Sequence, residues 1–153
     1  SRLIKSTRTD ENGDIEVDNF TYNTNGTVSF TTTANSITIA TGVIYFNGNQ
    51  PYKKEITENP GTAFEVSWVE ESTFDNKVSP FANVTGFSKI IIGTPKYTRG
   101  YPGIVNNSLD FSIDDNLEER STYTYNSNNM PATETYIDFG NSDYNSTAQY
   151  IYN

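Results

Sequence analysis

Three Asn-Gly pairs, Asn12-Gly13, Asn25-Gly26 and Asn47-Gly48, punctuate the N-terminal part of this chain. A two-residue hairpin turn needs positive φ at its centre, which Asn tolerates and Gly adopts freely, so Asn-Gly is the strongest short-range hairpin signal. A chain broken in this way is confined to short strands that fold back on one another. The segments between the turns agree. Phe20 and Tyr22 share one face of a strand from Ile15 to Asn23, and Val28, Phe30 and Thr32 share one face of the next. Ile37 to Phe46 is the most apolar stretch, with a bend expected at Gly42. Tyr52 to Thr57 and Ala63 to Val69 face each other across Glu58-Asn59-Pro60-Gly61, and Phe64, Val66 and Trp68 alternate with Glu65 and Ser67. Leu109, Phe111 and Ile113 alternate within Ser108 to Ile113, and Tyr123 and Tyr125 within Arg120 to Tyr125. The strands Pro131 to Phe139 and Ser146 to Tyr152 follow. The pattern predicts a single all-β domain over 1–153, an antiparallel meander of about ten strands. Consecutive hairpins favour a barrel-like form, with a β-sandwich as the alternative.

Composition adds a core and removes chemistry. Hydrophobic residues are only 34%, yet aromatics reach 14%, with 11 Tyr and 9 Phe. Disordered chains are poor in aromatic and β-branched residues, so this one has a core to bury. There is no His and no Cys. Their absence excludes Ser-His-Asp and Cys-His catalysis, thiolate or imidazole zinc sites, disulfides and iron–sulfur clusters. A formal net charge of −9 at pH 7 argues against nucleic acid as a partner, because phosphate contacts dominate that affinity. No apolar run is long enough for a transmembrane helix. The chain opens on Ser1 without a signal-peptide pattern, which we read as a leader removed. No cofactor and no metal are expected. The run from Asp10 to Asp14 resembles a calcium loop only until Ile15, which stands where such a loop needs Gly, so it reads as a hairpin turn. Asp114, Asp115, Glu118 and Glu119 read as a solvated acidic turn.

Residues 70–107 break the pattern. They hold Pro80, Pro95 and Pro102, one strand-like run from Lys89 to Ile92, and a candidate helical turn from Ser79 to Gly86. A stretch this long with little regular structure is usually functional or mobile. It is also where the charge changes sign. Residues 76–109 carry Lys77, Lys89, Lys96 and Arg99 and no acid, in a chain with 19 acids. Between Pro95 and Gly103, Lys96 and Arg99 interleave with Tyr97 and Tyr101. Cations and aromatic rings on a Gly/Pro loop suit an anionic or sugar-like ligand. Lys89, Lys96, Tyr97, Arg99, Tyr101 and Trp68 are therefore the candidate ligand-binding residues. The competing reading pairs these cations with surface acids. It also buries Trp68 and the tyrosines Tyr123, Tyr125, Tyr150 and Tyr152 on one covered sheet face.

One unit recurs. Phe20-Thr-Tyr-Asn-Thr-Asn-Gly is echoed by Tyr123-Thr-Tyr-Asn-Ser-Asn-Asn, more loosely by Ile44-Tyr-Phe-Asn-Gly-Asn, and by the closing Tyr150-Ile-Tyr-Asn. Aromatic residues two apart fill one face, and the Asn-rich turn admits positive φ. With Ser79-Pro-Phe-Ala-Asn-Val-Thr-Gly-Phe87 and Asn106-Asn107, these units resemble a family of uncharacterised secreted lipoproteins of the Bacteroidetes, some of them in a domain of unknown function described as porin-like. The resemblance runs from about Ile15 onward. It implies a secreted, lipid-anchored β protein and brings no catalytic residue with it. The anchoring cysteine of such a lipoprotein is not in this sequence.

The expectation is a non-enzymatic cell-envelope binding module for a small glycan, lipid or anionic ligand, with the 89–103 segment at its site. A structural or adhesion protein with flat Thr/Asn/Tyr-rich sheet surfaces is the first alternative. A carboxylate-based glycoside hydrolase, which needs two acids about 5–10 Å apart in a cleft, is the second. An extracytoplasmic location, as a lipoprotein anchored outside the residues given, accompanies the first reading.

Overall fold

The computed structural model describes residues 2–152. Its strands are β1 (Lys5–Thr9), β2 (Ile15–Tyr22), β3 (Val28–Ala34), β4 (Ile37–Asn47), β5 (Gln50–Glu58), β6 (Val66–Val78), β7 (Asn106–Ile113), β8 (Asn116–Tyr125), β9 (Pro131–Asp138) and β10 (Ser146–Gln149). Each pairs antiparallel with the next, so the chain is an all-β meander in one ten-stranded sheet. Among the described residues β1 and β10 are its two edges, and the sheet is not closed. Among the described residues no helix is long and apolar enough to cross a membrane.

The turns carry the backbone that the sequence demands. Asn35 and Ser36 hold positive φ (48° and 68°) between β3 and β4. Asp114 and Asp115 do the same (47° and 64°) between β7 and β8. Asp114 and Asp115 thus make a tight hairpin that closes Ile113 against Asn116, whereas Glu118 and Glu119, read from the sequence as part of the same solvated turn, lie on β8.

One face of the sheet holds the core. A row of side chains crosses it from Phe20 through Phe30, Gly42 and Ile56 to Trp68. The neighbouring row runs from Tyr22 through Val28, Ile44 and Lys54 to Glu70. The opposite face is polar in the same register: Asn19, Thr31, Thr41, Thr57 and Ser67 lie side by side. Period-two alternation therefore sets which face is buried.

Two expectations for the middle of the chain are corrected. The irregular stretch is shorter than 70–107, because β6 runs on to Val78 and β7 begins at Asn106. Lys89 to Ile92 is not a strand but the end of a short helix, α1 (Phe87–Ile92). Three successive isoleucines carry no periodicity, and a short apolar run does not separate strand from helix. Here the helix buries Ile92 and leaves Ile90 71% exposed. Ser79 to Gly86 forms successive turns, with Ala82 N–H donating to the Ser79 carbonyl and Val84 N–H to that of Phe81.

The connection 79–105 lies on the core face. Ile92 and Tyr101 join Phe20, Phe30, Ile44 and Ile56 in one buried cluster. Within residues 96–101 it touches β2, β5 and β6, and it also reaches Glu118 on β8. A flat sheet, with about 4.8 Å between strands, would spread β2 to β8 over about 29 Å. The sheet instead curls around the connection, which fills its inside.

Candidate functional site

Buried polar groups on the sheet hold the connection in place. Lys54 on β5 is fully buried, and its ammonium donates to the carbonyls of Pro95 (2.7 Å) and Thr98 (2.5 Å) and meets Glu70 Oε2 at 2.9 Å. Its three donors are all used, as a buried ammonium requires. Burial holds the Lys54 pKa below its ordinary value, and the adjacent Glu70 carboxylate opposes that shift. Glu70 also accepts from Gly100 N–H (3.2 Å) and Trp68 Nε1–H (2.9 Å). Ser72 Oγ accepts from Tyr101 N–H at 3.0 Å. Gln50 Oε1 accepts from the backbone N–H groups of Ile104 and Val105, each at 2.9 Å. Gly100 has φ +58°, and a Cβ there would sit 2.8 Å from the Phe111 ring, so only glycine lets this turn press onto β7.

Where the connection leaves the sheet uncovered, a cleft of about 250 Å³ opens over β7, β8 and β9. Phe81, Leu109 and Phe111 give it apolar surface. Glu119, Ser121, Tyr123, Glu134 and Tyr136 reach it from β8 and β9, and Tyr150 from just beyond β10. Alternation places them: Ser121 stands opposite Tyr136 and Tyr123 opposite Glu134. Glu134 gathers three hydroxyls, accepting from Ser121 (2.8 Å), Tyr123 (2.9 Å) and Tyr150 (2.5 Å). Burial pushes the phenols of Tyr123 and Tyr150 well up, with the Glu134 carboxylate adding to the shift. Burial also raises the Glu119 carboxyl, against a hydrogen bond from Tyr136.

Two residues that line the cleft each bury a polar atom without a partner. Among the described residues, Tyr101 OH and Asn107 Oδ1 are buried without a hydrogen bond. Both residues line this cleft, and their exposures are only 3% and 2%. A buried polar group left unpaired costs about 1–3 kcal/mol, so such groups are kept where something else satisfies them.

The six residues singled out from the sequence do not form one cluster. Arg99 and Tyr101 line the cleft. The Arg99 guanidinium is paired with Glu118 at 2.9 Å and lies 5.5 Å over the Phe111 ring. Lys96 pairs with Glu58 at 3.7 Å. Tyr97 donates to Glu16 at 2.8 Å, with the Arg8 guanidinium 4.0 Å above its ring. Trp68 packs half-buried against the core. Lys89, on α1, lines a different groove. Asn107, Glu119, Glu134 and Tyr136 stand in the cleft without having been singled out as ligands. The signal for Glu134 is present: it is in phase with Tyr136, so an inward tyrosine implies an inward carboxylate.

The chain matches no protein-family model and no curated protein. Among solved structures it is similar to a porin-like protein from Bacteroides uniformis, at 15% sequence identity and a TM-score of 0.47. The alignment covers 95% of this chain, which spans 62% of that one.

Proposed function

We propose that this chain is a non-enzymatic binding module whose cleft takes a small neutral glycan, about one sugar ring in size. The observation that carries the proposal is that Tyr101 and Asn107, which both line this cleft, each bury a polar atom, Tyr101 OH and Asn107 Oδ1, without a hydrogen-bond partner. A sugar hydroxyl is both donor and acceptor, so a ligand hydroxyl that reaches either atom can satisfy it. Glu119 and Glu134 offer further acceptors, while Phe81, Phe111 and the tyrosines supply apolar and aromatic faces. Of the three ligand classes expected, glycan fits best: two carboxylates repel an anion, and Arg99, the cation lining the cleft, is already paired with Glu118. A place at the cell envelope, with a lipid anchor, belongs to the same proposal and rests on the sequence resemblance.

Thermal melts with glucose, galactose, mannose and N-acetylglucosamine test it. A sugar at about 100 times its dissociation constant stabilises by about 2.7 kcal/mol, a rise of several degrees. Tyr101→Phe removes the orphan hydroxyl and keeps the ring. The variant should melt no lower than the wild type and bind about three- to tenfold more weakly. Glucuronate should bind less well than glucose. No shift with any sugar, or full affinity in Tyr101→Phe, would sink the proposal.

A second reading, carboxylate-based glycoside hydrolysis, is favoured by one fact. Glu119 and Glu134 share the cleft in different environments, one raised in pKa by burial and one accepting three hydroxyl hydrogen bonds. Reducing-sugar release that disappears in Glu119→Gln would make this the better reading.

A further inference from the structure

β5 and β6 separate before either strand ends. Their last paired residues are Lys53 and Glu71, yet β5 begins at Gln50 and β6 runs on to Val78. Two local features drive them apart. Pro51 has no N–H to give to a ladder, and β6 shifts register against β7 between Ser72 and Phe74 and again before Val78. Such bulges bend a strand and increase its twist. The splay leaves a notch of about 630 Å³ beside the β4–β5 turn, within the range of about 300–1,000 Å³ typical of small-ligand sites. Phe46, Tyr52 and Phe74 give it aromatic surface, and Asn47, Thr73 and Asn106 give it amide and hydroxyl groups. Asn47, Tyr52 and Thr73 are exposed, so groups of both kinds are within reach of a ligand.

Asp75 is the one charged residue lining the notch among those described. Its Oδ1 accepts from the backbone N–H groups of Lys77 (2.9 Å) and Asn107 (3.0 Å), and its Oδ2 from Asn107 Nδ2 (2.8 Å) and Tyr125 OH. Four donors fill the acceptor capacity of a carboxylate, so Asp75 offers little to a cation. Gln50 is committed as well, to the N–H groups of Ile104 and Val105 and to the Pro51 carbonyl. The accessible remainder is uncharged, carries hydroxyl and amide groups, and is set against aromatic rings. A neutral sugar matches it: its hydroxyls exchange hydrogen bonds with amides, and the apolar face of its ring lies on an aromatic one. We propose that the notch binds one neutral sugar unit of an oligosaccharide, lying on Tyr52 and hydrogen-bonded by Asn47, Thr73 and Asn106. The notch borders the glycan cleft at Ser72, which lines both, but its binding does not depend on that cleft.

Amide NMR of the full chain titrated with cellotriose, maltotriose and mannotriose provides the test. At least one of them should move the amide signals of Asn47, Thr73 and Asn106 in a saturable way. Tyr52→Ala should weaken that response about two- to tenfold, and Asn47→Ala about three- to tenfold. Both residues are exposed, so both variants should melt like the wild type. Trigalacturonate should bind no more tightly than the neutral sugars, and Tyr101→Phe should leave the notch response intact. No saturable shift at the notch, tighter binding of trigalacturonate, or unchanged affinity in Tyr52→Ala or Asn47→Ala would each overturn the proposal. Shifts confined to Ser121, Tyr123 and Glu134 would overturn it too, while upholding the reading of the cleft.

Discussion

Asp18 shows how one inward position on a strand acquires a chemistry of its own. It is 3% exposed on β2, and its Oδ1 accepts from Thr32 Oγ1 at 2.6 Å. Burial raises its carboxyl pKa, and that hydrogen bond only partly opposes the shift. A carboxyl that holds its proton more tightly in the fold than in the unfolded chain favours folding when protonated and opposes it once ionised. Its contribution is therefore full below about pH 4 and is lost as pH rises through the folded pKa. Asp18→Asn keeps an acceptor for Thr32 and removes the ionisation. The variant should melt higher than the wild type at pH 7, and the difference should fade as pH drops below about 4. A gain that stays constant across that range would mean that charge burial is not its cause. Little of this is legible in the sequence, where Asp14, Glu16 and Asp18 look alike; only the register against Thr32 marks Asp18.

At the scale of elements, β4 shows what close strand packing demands. Gly42 lies between Phe30 on β3 and Ile56 on β5. A Cβ there would come within 2.2 Å of the Glu55 carbonyl and 2.5 Å of the Phe30 ring. Gly42→Ala should therefore destabilise by about 1–3 kcal/mol in urea unfolding, the usual cost of overpacking. Adding Phe30→Leu should not restore stability, because the carbonyl clash is with backbone. Recovery in the double variant would show that the ring alone sets the constraint. The elements themselves were largely readable. Turns at Asn-Gly, Asp-Asp and Asn-Ser positions, with alternation between them, place most of the ten strands. What escaped was the connection: α1 hides in an apolar run without period, and β6 continues through Ser72 and Phe74 into a segment that composition had marked as irregular.

The whole molecule is an open, curled sheet closed over by its own longest connection, and Lys54 is the pin. Lys54→Ala should cost about 3–5 kcal/mol, since it strands buried Glu70 and frees the carbonyls of Pro95 and Thr98. Amide exchange at Thr98 and Gly100 should quicken more than in β2 and β3. A loss below about 1 kcal/mol would place the anchoring on Gln50 and Ser72 instead. Lys53 and Lys54 are identical neighbours in the sequence, yet Lys53 faces solvent between Glu55 and Glu71 while Lys54 is wholly buried. Here lies the division between what sequence and structure decide. Turn chemistry and period-two alternation act within a few residues, so the sequence alone determined an all-β antiparallel meander and most of its strands. The candidate site joins Asn107, Glu119, Glu134 and Tyr150 to Tyr101 on the connection, across five segments. Their meeting depends on how far the sheet curls and on which polar groups the connection buries. Those are long-range balances of packing and desolvation, and no local pattern encodes them.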